Sequence, residues 1–112
     1  MALFEYTALR NRIRAGRYLV PDVCVFWPRD PREEIPEIKP HIVIEVPSPS
    51  DSLVDVLAKL QEYLDAGIPH VWLLSPREQA FLVFGPHGLC RTPVLSIPEV
   101  GVELQPADLF GL

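Results

Sequence analysis

Among the 112 residues of this chain, Asp22, Glu45 and Lys59 stand out by type and placing. Asp22 follows Pro21 at the opening of a valine-rich stretch, VPDVCVF (20–26). Glu45 sits near the end of HIVIEV (41–46), where its neighbours are almost all apolar. Lys59 lies four residues after Asp55 and four before Tyr63, so on a helix these three share a face. Two acids on neighbouring strands, about 4.8 Å apart, can meet around one cation. Mg²⁺ prefers oxygen ligands and usually takes only one or two carboxylates. Such an ion holds water, lowers its pKa and neutralises charge building on a phosphodiester under attack. An amine nearby orients that water or takes up oxyanion charge.

Plainer roles stand beside this one. An Asp after Pro commonly ends a turn or opens a strand. A Glu in an apolar run needs a partner, and an ordinary salt bridge would serve. Asp55 and Lys59 have the spacing of a surface ion pair. Carboxylates more than about 8 Å apart could not share an ion at ligand distances near 2.1 Å. That separation would favour an unrelated small α/β protein with a salt-bridged core.

The elements that must position these groups follow from periodicity. Residues 8–14 (ALRNRIR) alternate, with Leu9 and Ile13 on one side and Arg10, Arg12 and Arg14 on the other, as in a half-buried strand. Residues 20–26 predict a second strand, and the polar, proline-rich 27–40 a loop. The β-branched run 41–46 predicts a central strand covered on both faces. From 52 to 66 the period changes: Leu53, Val56, Leu57, Leu60 and Leu64 recur at helical spacing. N-cap candidates precede this segment, and Gly67 and Pro69 close it. Strands at 70–75 (HVWLLS) and 80–84 (AFLVF) follow, then a short strand in VGVEL and a helical turn at PADLF. Strand, helix, strand over 41–75 predicts a βαβ unit with a parallel pair. The expected fold class is α/β, a mixed β-sheet with one main helix (52–66) following the central strand, in a single domain over 1–112.

Composition sets the class. Hydrophobic residues at 48% and charged residues at 22% suit a folded domain with a real core. The thirteen prolines are scattered singly and read as punctuation. No apolar run approaches the ~20 residues that span a bilayer, so no membrane partner is expected. MALFEYTALRNR lacks an export signal, so Cys24 and Cys90 are expected as thiols and the protein in the cytoplasm. A net charge of −5 argues against a general nucleic-acid coat, yet a bound cation can supply positive charge locally. Arg10, Arg12 and Arg14 either grip phosphates or form a solvated edge. His41, His70 and His87 show no metal-ligand spacing and read as strand-end or turn residues. Cys24 reads as a small buried hydrophobe, and Trp27 and Trp72 as core or interface.

Three stretches, RYLVPDVCVF (17–26), IVIEVPSPSD (42–51) and DVLAKLQEYLDAGIPHVWLLSP (55–76), together with the ADLF ending, resemble the Uma2 family of endonuclease-like proteins. That family is a bacterial branch of the PD-(D/E)XK superfamily. Its pattern is a PD strand, an E-V-x-S-P strand end, then D-x3-K-x3-Y and G-[VI]-x-x-[VY]-W, and each element occurs here in order. The resemblance implies a restriction-endonuclease-like core and a Mg²⁺- or Mn²⁺-dependent nuclease acting on DNA. It implies Asp22, Glu45 and the Val46 backbone as metal ligands, with Lys59 as the catalytic lysine. Asp55 and Tyr63 would support them. The superfamily lysine ordinarily stands two residues after the glutamate, where this chain has Pro47; Lys59 takes its place from the helix. Family members usually carry a further N-terminal region, with a first core helix and an early strand, that this sequence is expected to lack. A homodimer is the expected remedy for the exposed sheet. The alternative is a shortened, non-catalytic member of the fold acting as a dimeric binding module.

Overall fold

The computed structural model describes residues 3–32, 34–36, 38–105 and 108. Its centre is β5 (Ile42–Glu45), buried at all four positions. β-Branched side chains covered on both faces favour such a strand. The chain turns through SPSD and enters α1 (Leu53–Asp65), where the Ser52 side chain accepts from the Asp55 amide and caps the first turn. Gly67 takes φ +85°, a left-handed conformation in which a β-carbon would be strained, and so releases the chain from the helix. β6 (His70–Ser75) then returns parallel to β5. The βαβ unit expected from the change of period is therefore present, with its helix within one residue of the expected bounds.

Antiparallel neighbours extend the sheet. β1 (Phe4–Thr7) and β4 (Val23–Phe26) lie to one side of β5, and β7 (Ala80–Gly85) and β8 (Gly88–Thr92) lie beyond β6. The strand order is β1-β4-β5-β6-β7-β8, and only the β5–β6 pairing is parallel. Two hairpins stand apart from this sheet: β2 (Asn11–Arg14) with β3 (Arg17–Leu19), and β9 (Leu95–Ile97) with β10 (Val102–Leu104). Strand alternation sends Cys24, Phe26, Val43, Val71 and Leu73 to the helix face, where they pack with Leu60 and Tyr63. Val25, Ile42, Ile44, Trp72 and Leu74 face the other way, against Leu95, Ile97 and Val100. Among the described residues no helix is long and apolar enough to cross a membrane.

The structure departs from the expected elements in four places. The stretch 8–14 is not one strand: β1 comes earlier and pairs with β4, Ala8 takes φ 51° and breaks the extended chain, and β2 starts at Asn11. The strand expected over 20–26 begins only at Val23, since Pro21 has no amide to give a ladder. β3, β8 and β9 were not expected, because RYL, GLCRT and LSI are too short and mixed to show a period. VGVEL resolves into the end of a 3₁₀ turn (Pro98–Val100) and β10. The expected turn at 106–110 lies outside the described residues apart from Asp108.

Three of the N-terminal arginines make contacts within the fold. Arg17 makes a bidentate pair with Glu62 on α1, Arg14 reaches the same carboxylate, and Arg10 lies over the Tyr18 ring. The stripe of α1 is also narrower than its spacing suggests. Leu60 is fully buried, while Leu53 in the first turn is 66% exposed. Leu60→Ala should therefore cost about 2–5 kcal/mol in urea unfolding, whereas Leu53→Ala should stay within about 0.5 kcal/mol of the parent.

Candidate active site at the carboxyl end of β5

Strand pairing brings the two acids together. Val23 of β4 faces Ile44 of β5 in an antiparallel register, so the next step puts Asp22 opposite Glu45. Residues directly opposed in such a pair point to the same face. That face is the helix side, since Val43, two residues before Glu45, packs with Leu60 and Tyr63. Asp22 is exposed at the strand mouth and Glu45 is buried behind it. The Asp22 carboxylate is also tied to the second strand end, because its Oδ2 accepts the Val46 amide at 2.7 Å.

The helix supplies the partners of Glu45. Lys59 Nζ lies 3.0 Å from Glu45 Oε1, and the Tyr63 hydroxyl donates to the same oxygen at 2.9 Å. One helical turn separates the two donors, so both reach one carboxylate from a single face of α1. Lys59 also donates to the Val20 carbonyl at 3.0 Å, which pins the ammonium between strand and helix. Both contacts of Glu45 use Oε1, and that of Asp22 uses Oδ2. Among the described contacts, Glu45 Oε2 and Asp22 Oδ1 carry no protein donor.

Electrostatics follow from the packing. Burial pushes the Glu45 carboxyl above its ordinary value, against the opposing pull of Lys59 and Tyr63, and the negative Asp22 adds to the rise. Tyr63 is pushed up as well, by burial first and then by Glu45, so its hydroxyl stays a donor. Two acids on one face, one short of compensation, make a place where added positive charge is favoured.

Asp55 lines the mouth of this cleft with Glu45, Pro47, Ser52 and Lys59, around a volume of about 220 Å³. The ion pair of Lys59 is with Glu45 rather than with Asp55. Asp22, Glu45, Lys59, Tyr63 and Asp55 thus stand around one strand end. For Val46, the amide is spent on Asp22. The Val20 carbonyl was not anticipated, since a backbone acceptor leaves no mark on residue type.

The elevated Glu45 pKa gives a signed expectation. A carboxyl that binds its proton more tightly when folded contributes stability below its ordinary value of 4.5, and this is lost as pH rises through the higher folded value. Glu45→Gln keeps an acceptor for Tyr63 and cannot ionise. In chelator, urea unfolding from about pH 4 to pH 8 should show the parent losing stability relative to Glu45→Gln. Parallel curves would mean that this pocket imposes no penalty on the carboxylate.

With this geometry in place, similarity to known proteins becomes informative. The Uma2 family model, described as "Putative restriction endonuclease", matches residues 2–111. A crystal structure from Anabaena variabilis ATCC 29413, described as a putative nuclease belonging to DUF820, superposes with a TM-score of 0.77 at 29% identity. The match covers 97% of this chain and 68% of that one. No curated protein matches.

Proposed function

Since the chain belongs to the Uma2 family, we propose that it is a metal-dependent nuclease, working as a single cytoplasmic domain, that hydrolyses DNA phosphodiester bonds at the carboxyl end of β5. The fold is α/β and similar to that of a protein described as a nuclease. One observation carries the proposal: Asp22 and Glu45 oppose each other across adjoining strands while Lys59 meets Glu45 from the helix.

The donor set fits a hard divalent cation. Glu45 Oε2 and Asp22 Oδ1 have no protein donor among the described contacts, and they are joined by the nearby backbone of Val46, whose carbonyl we propose as a third ligand. Mg²⁺ or Mn²⁺ suits such oxygens and needs only one or two carboxylates. When bound, the ion would supply Lewis-acid charge to the phosphate and lower the pKa of water. Tyr63 ties down the Glu45 carboxylate through Oε1, which leaves Oε2 for the ion. The Val46 amide does the same for Asp22. Lys59, held by the Val20 carbonyl, offers a point charge beside the acids that can orient the attacking water or take up charge on the phosphate oxygens. Asp55 stands at the cleft mouth, where it limits how a polyanion enters. Arg14 and Arg17 are paired with Glu62, so a bound ion would add positive charge to that of Lys59 at the site.

A second reading has an observation of its own. Leu53 and Val54 are exposed at the start of α1, and Val20 and Val46, which flank the site, are exposed too. An apolar rim of this kind suits a homodimer in which the fold serves as a binding module without cleavage.

A plasmid-nicking assay with Mg²⁺ or Mn²⁺ tests the first reading. The parent should give metal-dependent product, Asp22→Asn and Glu45→Gln should give none, and Lys59→Met should lower kcat roughly 10²–10³-fold, the usual loss for a charge-stabilising group. Calorimetric Mg²⁺ binding that is the same in the parent and in Glu45→Gln would remove Glu45 from the metal site. A parent that sediments as a dimer and yields no metal-dependent product would leave the binding module standing.

A further inference from the structure

A second constellation lies at the opposite end of β5. His41 immediately precedes β5 and His70 opens β6, and the parallel register sets Ile42 against His70. The two imidazoles therefore meet edge to face, with ring centroids 5.2 Å apart. Glu99, on the 3₁₀ turn Pro98–Val100, puts Oε2 at 2.7 Å from His41 Nε2 and 2.8 Å from His70 Nε2. These three ligand atoms all lie within 4.8 Å of one another. We propose that His41, His70 and Glu99 form a binding site for a Zn²⁺-class transition-metal ion, separate from the acids at the carboxyl end of β5.

The donor chemistry selects the ion. Two imidazole nitrogens and one carboxylate oxygen suit Zn²⁺ and its neighbours, whereas Mg²⁺ demands oxygen. Ligand distances near 2.0–2.1 Å in a tetrahedral site put donor atoms about 3.3 Å apart. The observed nitrogen–oxygen gaps need to open by only about half an ångström to reach this spacing. Glu99 is the outermost member and can swing by that amount, since its side chain is 34% exposed against 13% for His41 and 18% for His70. Three protein ligands leave one position for water.

The ligands are also held before any ion arrives. The His41 amide donates to the Val25 carbonyl at 2.7 Å, and the His70 amide to the His41 carbonyl at 3.2 Å. Trp27 lies against the His41 ring at 5.3 Å and Trp72 against the His70 ring at 5.8 Å, so a row of four rings restricts both imidazoles. Glu99 is carried on a 3₁₀ turn whose flanking Ile97 and Val100 are buried, which places its backbone while leaving the side chain able to adjust. Each ligand thus comes from a different segment, and an ion would fasten the β9–β10 hairpin to the strand ends of the main sheet. A His–Glu–His hydrogen-bonded clamp is the competing account of the same distances. Sequence spacing does not reveal the site, because 29 residues separate the histidines and only parallel pairing joins them. The site is independent of the nuclease reading, being about 13 Å from Glu45 at the rise of one strand.

The test is Co²⁺ titration followed in the visible spectrum, on the parent chain and on Glu45→Gln. In both proteins one Co²⁺ per chain should resist excess Mg²⁺ and be displaced by Zn²⁺, whereas any ion held at the acids should give way to Mg²⁺. X-ray absorption on the Zn²⁺-loaded parent should show imidazole scattering at about 2.0 Å. His41→Gln, His70→Gln and Glu99→Gln should each weaken binding by more than the roughly 10–100-fold typical of losing an outer partner, while His87→Gln should bind as the parent does. No saturable Co²⁺ or Zn²⁺ binding by the parent, absorption data without imidazole, or affinity unchanged in all three variants would overturn the site and leave the hydrogen-bonded clamp.

Discussion

The structure turns on one buried carboxylate. Glu45 ends the central strand, in an apolar run where a charge without partners would be costly. Lys59 and Tyr63 compensate it from the helix, through a single oxygen. This fixes the rotation and axial position of α1 on the sheet, because both donors must reach the same atom. It also leaves the carboxyl short of full compensation, with burial outweighing its partners. A protein built only for stability would do better with an apolar residue here.

The parallel pair is the second constraint. Because β5 and β6 run the same way, their ends coincide, and side chains distant in sequence stand side by side. At the carboxyl end the connection from β5 into α1 encloses the cleft lined by Glu45, Pro47, Asp55 and Lys59. Ligand sites in α/β sheets form at such strand ends, where the connections leave the sheet and backbone groups are freed. At the amino end the same pairing joins His41 to His70, and the 3₁₀ turn brings Glu99 across them. The two faces of the sheet divide the remaining labour: the helix covers one, and the β9–β10 hairpin covers the other.

Charge distribution follows the same division. Of the expected basic edge, Arg14 joins Arg17 in linking the β2–β3 hairpin to α1 through Glu62, and Arg10 stacks on Tyr18. Glu62 is held below the ordinary carboxylate range, first by its bond to Arg17. These contacts are exposed and individually weak. Their consequence is positional, since they seat a hairpin carrying Ile13 and Leu19 over the helix-side core.

Much of this was legible in the sequence, because it rests on local periodicity. A β-branched run, a switch to helical spacing with cap residues, and a second apolar run determine a βαβ unit, and Glu45 within the first run marks itself as needing a partner. Asp55, Lys59 and Tyr63 share a helical face by spacing alone. The order of the PD, E-V-x-S-P and K-x3-Y segments pointed to the Uma2 family, to which the chain belongs. What needed the folded chain were the long-range pairings. β1 was hidden because FEYT has too few residues to show a period, and the pairing of Arg14 was hidden because its partner Glu62 lies far along the chain on α1. The facing of Asp22 and Glu45 depends on antiparallel register, and the meeting of His41 with His70 on parallel register. Sequence fixes which face a side chain takes within its own element, whereas the neighbour it meets is decided by strand pairing, which one-dimensional spacing does not encode.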